Sequence, residues 1–209
     1  MAMTLAQLST TIPGLHASDP APLPFAPALQ MRSFLLEREG GNLLIYGSTK
    51  VPDGDVWRQY LGHGHEAAFV LPTGKAPVFV HAGDRAETEQ EVPVRAAFSR
   101  RHALDDDFEV IPVPGHTRGS TAYLWHSGEH RFLFTADTIF LRDGDWRAAV
   151  LGNSDRAAYL ESLALLRELD FDVLVPWIAA GPYSAMTDGA DARRRIDAII
   201  DREQRGAGA

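Results

Sequence analysis

Two apolar runs that each stop on a metal-capable side chain constrain this chain more than any other feature. Val110-Ile111-Pro112-Val113-Pro114 closes on Gly115-His116-Thr117, and Phe132-Leu133-Phe134-Thr135-Ala136 closes on Asp137. Upstream stands a histidine pair, His63-Gly64-His65. Short apolar runs bounded by turn residues read as buried strands, and strand ends on one edge of a sheet are where ligands converge. Three imidazoles and a carboxylate are a donor set that suits a first-row metal. The chain has 0 cysteines, so any ion must be held through nitrogen and oxygen.

Composition narrows the classes. At 209 residues the chain suits one large domain or a compact pair of halves, with 45% hydrophobic and 23% charged residues. A net charge of -8 disfavours a surface that tracks phosphates, so no nucleic-acid partner is expected. No apolar run is long enough to span a membrane, and residues 1–29 lack the basic and apolar blocks of a secretion signal. A cytoplasmic protein acting on a small-molecule substrate or ligand is the resulting expectation.

Five prolines within residues 11–30 predict an extended, surface-lying arm over 1–29, ahead of a single domain over 30–209. Met31 to Glu37 and Asn42 to Tyr46 predict a hairpin turning at Gly40-Gly41. Asp53 to Tyr60 reads as a short helix, Ala76 to His81 as a strand after a Pro72–Gly74 turn, and Asp84 to Glu91 as an exposed helix stopped by Pro93. Phe108 to Val113 is a strand, and Ser120 to Trp125 with His130 to Thr135 form a second hairpin. Asp155 to Leu169 predicts a helix capped by Asn153 or Ser154, with an apolar face of Leu160, Leu163, Leu166, Leu169, Ala157 and Ala164. Asp172 to Pro176 is a strand, and Asp191 to Glu203 a terminal helix fraying at Gly206. Hairpins and long helices in this mixture point to an α/β layered domain.

On an extended segment His63 and His65 point the same way, so both rings can address one ion. Thr117 and Ser120 offer hydroxyls that could orient the ring of His116. Asp137 alone would read as a turn cap, and its pairing with a strand-end histidine one hairpin away is what raises it. His81 also ends a strand, but Ala82 and Gly83 give it no partner. His16, His102, His126 and His130 read as solvated, and Trp57, Tyr60, Trp146, Trp177 and Tyr183 as candidates for a rim, more simply explained as packing.

The stretch Ile111-Pro112-Val113-Pro114-Gly115-His116-Thr117-Arg118-Gly119-Ser120, followed by Phe132-Leu133-Phe134-Thr135-Ala136-Asp137-Thr138, resembles the metallo-β-lactamase superfamily. Gly41 to Tyr46 is similar to that family's opening strand, His63-Gly64-His65 to its first histidine pair, and 172–176 to the strand before its last ligand. The resemblance implies a four-layered αββα sandwich of two mixed sheets flanked by helices, with a metal site on one edge. It departs from the family at Ala67 and Ala68, where Asp-His is usual, and at Ile178, where the last histidine would stand. Tyr46 replaces an aspartate and Ala136 a glycine.

Sorted by role, His63, His65 and His116 match the first metal site and Asp137 the shared carboxylate, while the positions peculiar to a second metal are apolar. The resemblance thus implies one Zn²⁺ and no second metal, with His116 and Asp137 as catalytic candidates. Such an ion would lower a water's pKa from about 15.7 to about 7 for attack on an ester, thioester or amide. Glu66 adjoins the lost aspartate, but on an extended segment it would point away. The alternative is a non-catalytic member that binds a ligand, or keeps only a structural metal or none. Apolar side chains at 67, 68 and 178, beside Trp177, suit an apolar ligand, and Leu141 to Asn153 is expected to form one wall of the site.

Overall fold

The computed structural model describes residues 12–71 and 76–206. The Pro72–Gly74 turn and the first 11 residues of the expected arm lie outside the described residues. Two six-stranded mixed sheets face each other. The first runs, in spatial order, Leu15–Ala17, Phe34–Leu36, Leu43–Ile45, Arg58–Tyr60, Val78–His81 and Val94–Phe98. Its first two junctions are antiparallel and the remaining three parallel. The second runs Ala185–Met186, Val173–Pro176, Arg131–Ala136, Thr121–His126, Phe108–Pro112 and His102–Asp105. Only the junction between Arg131–Ala136 and Val173–Pro176 is parallel there.

The two inner faces meet through aromatic side chains. Phe34 and Tyr46 of the first sheet lie 5.6 and 6.0 Å from Phe134 of the second, centroid to centroid. Tyr60 lies 5.6 Å from both Phe108 and Tyr123. Tilted and edge-on aromatic contacts of this kind add about 0.5–1.5 kcal/mol each beyond area burial. Helices Arg156–Arg167 and Gly189–Gly206 pack on each other outside this core. The expected hairpins over 31–46 and 120–135 are present. Among the described residues no helix is long and apolar enough to cross a membrane.

A third, five-stranded sheet holds much of the expected arm. Ala21–Leu23 and Ala26–Met31 form a hairpin, and the latter pairs with Ile178–Ala180. Leu15, Ala21 and Leu23 are buried, so this part of the arm is woven into the fold rather than laid over it. The prolines are tolerated for a physical reason. Pro22 sits in the edge strand beside a register shift, and Pro27 lies beyond the Gln30 and Met31 pairing, where a missing N–H costs little.

Three other expectations change. Asp53 to Tyr60 is not a helix: Arg58–Tyr60 is a strand, because its parallel neighbours on both sides take its backbone and bury Gln59 and Tyr60. The helix expected over 84–91 is shortened to Arg85–Thr88, and it is not wholly exposed, since Asp84 and Thr88 are buried. The long helix is capped by neither Asn153 nor Ser154. Asp155 accepts from the Ala158 N–H at 3.0 Å, while the Ser154 hydroxyl is engaged by the His116 carbonyl and the Leu151 N–H. Its buried face is Tyr159, Ser162, Leu163 and Leu166, whereas Ala157 and Ala164 face solvent.

Tyr46 joins the sheets at the edge that matters. Its hydroxyl donates to the Val175 carbonyl and accepts from the Ala136 N–H, each at 2.9 Å. Both Tyr46 and Ala136 have left-handed backbones, φ 72° and 48°, which costs side-chain-bearing residues about 1–2 kcal/mol each. Ala136 keeps its methyl because Gly62 leaves room: a Cβ on Gly62 would lie 2.3 Å from the Ala136 Cβ. Replacing Tyr46 with Phe strands the Ala136 N–H in the core. It should therefore lower unfolding free energy by about 1–3 kcal/mol in urea titrations, with an unchanged denaturant slope.

Candidate metal centre

Three loops at one edge of the sandwich bring the candidates together. His63 follows strand Arg58–Tyr60 in an extended conformation and precedes a 3₁₀ helix, Gly64–Phe69, which carries His65. The pair is therefore not on a continuous extended segment, yet the rings still converge. His116 lies in the turn after Phe108–Pro112, and Asp137 directly after Arg131–Ala136. The ring centroids are 5.0 Å apart for His63 and His65, 4.9 Å for His63 and His116, and 5.2 Å for His65 and His116. One ligand atom from each histidine lies within 4.8 Å of the other two, so the group could hold a metal ion.

The three histidine donors are spaced for a shared ion, and Asp137 stands beside two of them. His116 Nε2 is 3.3 Å from His65 Nδ1, and Asp137 Oδ2 is 3.6 Å from His63 Nε2 and 3.7 Å from His116 Nε2. Four ligands at zinc bond lengths in a tetrahedron stand about 3.3–3.4 Å from one another. His63 Nε2 and Asp137 Oδ1 are buried without a hydrogen-bond partner, an arrangement that is costly unless something else engages them.

The far side of each buried ring is held by an acceptor. His116 Nδ1 is 2.6 Å from the Ala149 carbonyl, which can only accept. The proton therefore sits on Nδ1, and the Nε2 lone pair faces the cluster. His63 Nδ1 is 3.0 Å from Glu66 Oε1, and the same carboxylate accepts from the Gly62 N–H at 2.9 Å and the Gly47 N–H at 3.0 Å. Burial raises the pKa of Glu66 while these backbone donors oppose it. On the exposed side, His65 Nε2 is 3.7 Å from Glu87 Oε1. Acceptors behind ligating histidines fix the tautomer and ring plane.

Glu66 thus points into the protein from a 3₁₀ turn, and the extended segment on which it was expected to point away from Ala67 is absent. Asp84, expected at the head of an exposed helix, ties the histidine loops together. Its Oδ2 accepts from the Gly64 N–H at 2.9 Å and the Thr117 hydroxyl at 2.6 Å, and its Oδ1 from the Gly119 N–H at 2.7 Å. Thr117 and Ser120 therefore brace the turn and do not orient the His116 ring. Tyr159 completes the support: its hydroxyl accepts from the Ala149 N–H and donates to the Thr138 carbonyl, linking the segment behind the His116 ring to the Asp137 loop. Gly115 permits this, because a Cβ there would lie 2.4 Å from Tyr159 Cα, and its φ is 143°. Nothing local in the sequence marks Glu66, Asp84 or Tyr159.

His81 stays apart, with Nδ1 accepting from the Gly83 N–H and its ring beside Phe98. Of the rim candidates only Trp177 lines the cavity over the cluster. Its indole N–H donates to the Gly47 carbonyl, and its ring stands edge-on to His63 at 5.2 Å. Tyr60, Trp146 and Tyr183 are buried in the core. Ala68 and Ile178 line the cavity, as do residues 148–151 from the expected wall, whereas Ala67 is buried beneath.

A family model of the metallo-β-lactamase superfamily matches residues 91–176. A metallo-β-lactamase family protein from Thermus thermophilus superposes with a TM-score of 0.66 at 20% identity, over 93% of this chain and 80% of that one. The chain has the metallo-β-lactamase fold. An archaeal member of the superfamily from Sulfolobus tokodaii gives 0.60 at 17% identity, covering 91% and 94% of the two chains. A metallo-β-lactamase from Pontibacter korlensis gives 0.66 at 14%, covering 92% and 95%. No curated protein sequence matches the chain.

In this metallo-β-lactamase-fold protein burial favours the neutral form of His63 and His116. Loss of solvent, with the neighbouring imidazole adding to it, pushes His116 down to about 3, and the same causes lower His63. The unfolded rings take up protons near pH 6.5 that the folded rings refuse. These groups therefore weaken the metal-free fold as pH falls from about 6.5 towards 3. In NMR titrations of metal-free protein the His63 and His116 rings should show no midpoint between about pH 5 and 8. A midpoint near the free value would show that folding does not desolvate them.

Proposed function

We propose that this protein is a single-metal hydrolase that cleaves an ester, thioester or amide bond in a small molecule. The observation that carries the reading is the convergence of three histidine nitrogens, with an Asp137 oxygen beside two of them and the His63 and His116 rings oriented from behind. His63 Nε2, His65 Nδ1 and His116 Nε2 would hold the ion, with Asp137 beside them. Bound there, zinc supplies Lewis acidity that polarises a carbonyl and acidifies a water.

The remaining work falls to the chain. Glu66 cannot serve as general base, because both of its oxygens are engaged by backbone N–H groups or the His63 ring. Asp137 can: among the described residues its Oδ1 has no hydrogen-bond partner, and a cation on the neighbouring imidazoles would favour its ionised form. It orients the attacking water and takes its proton, a role typically worth about 10²–10⁴-fold in rate. Apolar residues at 67, 68 and 178 leave no protein ligands for a second ion, so one metal per chain is the expected stoichiometry.

A ligand-binding protein without turnover is the second reading, favoured by the apolar side chains that stand at those positions and around the cavity. Metal content separates the two. Protein purified without chelators or a nickel column should carry about one zinc, and His116→Ala should lose it. Glu66→Gln puts an amide nitrogen against an N–H donor and should weaken zinc affinity about 10–100-fold. A metal-free wild type that takes up no more zinc than His116→Ala would overturn the hydrolytic reading.

A further inference from the structure

The cavity above the histidine cluster has a chemistry of its own. It encloses about 690 Å³, within the range of small-molecule sites, and its floor is His65, His116 and Asp137. The walls are apolar, with Leu29, Phe69, Phe140, Val150 and Ile178 among them. Among the described residues no lysine or arginine lines it, and carboxyl groups stand at its floor, Asp137, and at its rim, Glu87. The chain as a whole carries -8. A carboxylate, phosphate or sulfate on the body of the occupant would find no described basic side chain along these walls to pair with.

The mouth is also unusual. Phe25 stands in the turn between strands Ala21–Leu23 and Ala26–Met31, and it lines the cavity while 81% exposed. Leu151, also on the lining, is 44% exposed. Large apolar side chains held out to water next to an apolar cavity mark a surface that a ligand covers.

We propose that this cavity takes an uncharged molecule with a long acyl or aryl body, its carbonyl directed to His65, His116 and Asp137 and its body covered by Phe25 and Leu151. The carbonyl's direction rests on the hydrolytic reading above; the apolar, charge-free occupancy does not.

The two readings are separated by measuring binding and turnover on the protein as purified. Binding is followed by NMR or calorimetry with 2-decanone, an uncharged ketone that cannot be hydrolysed, against 1-octanesulfonate, an anion with a similar tail. The ketone should bind at least about tenfold tighter, and Phe25→Ala, which changes an exposed side chain, should weaken it about tenfold, the scale of an aromatic contact residue. Turnover is followed with 4-nitrophenyl octanoate against the acetate, each buried methylene being worth about fourfold. Ketone binding without ester cleavage would sink the hydrolase and leave this inference standing. Equal or tighter sulfonate binding, absent ketone binding, or affinities indifferent to both Phe25→Ala and Leu151→Ala would overturn it, as would ester cleavage that ignores chain length.

Discussion

The carboxylate of Asp84 is the interaction on which the histidine cluster depends. His63 and His65 come from one sheet and His116 from the other, so their rings meet only if two unrelated loops are held in register. Asp84 does this from a third segment, accepting from Gly64, Gly119 and Thr117. Three short bonds to one buried charge are individually strong, since charge-assisted hydrogen bonds are about twice as strong as neutral ones. Glu66 repeats the device one layer deeper by joining Gly47, Gly62 and His63. Asp84 acts on the cluster through the loops that carry it, and Glu66 also directly through the His63 ring.

Local strain is gathered at the same edge. Tyr46 and Ala136 adopt left-handed backbones at the ends of strands in the two facing sheets, and the Tyr46 hydroxyl bridges those sheets. Such conformations persist where surrounding structure over-determines them, which is common near functional sites. Here Gly62 makes room for the Ala136 methyl, and Gly115 makes room for Tyr159. The glycines that matter are thus those one loop away from the ligands, where another chain segment needs their space.

Burial that neutralises His63 and His116 also raises Asp137, and both effects come from the same removal of water. A low-dielectric site keeps lone pairs free for a cation and magnifies any charge that enters. The apolar walls over the cluster extend that environment outward to Phe25 and Leu151.

Much of this was written locally in the chain. Apolar runs that stop on His116 and Asp137 mark strand ends, because a buried run must surface where its sheet ends. The absence of cysteine restricts the donors to nitrogen and oxygen, and apolar residues stand at 67, 68 and 178. What lay beyond the sequence was decided by contacts between distant segments. Arg58–Tyr60 became a strand because parallel neighbours claimed it, and the proline-rich start found sheet partners in Phe34–Leu36 and Ile178–Ala180. Asp155 displaced the expected caps because the Ser154 hydroxyl was taken by the His116 loop. Glu66, Asp84 and Tyr159 gain their roles from partners as many as 35 residues away, as in the bond from Gly119 to Asp84. Periodicity along a chain reports which faces are apolar; only folding decides which polar groups, shut away from water, must satisfy one another.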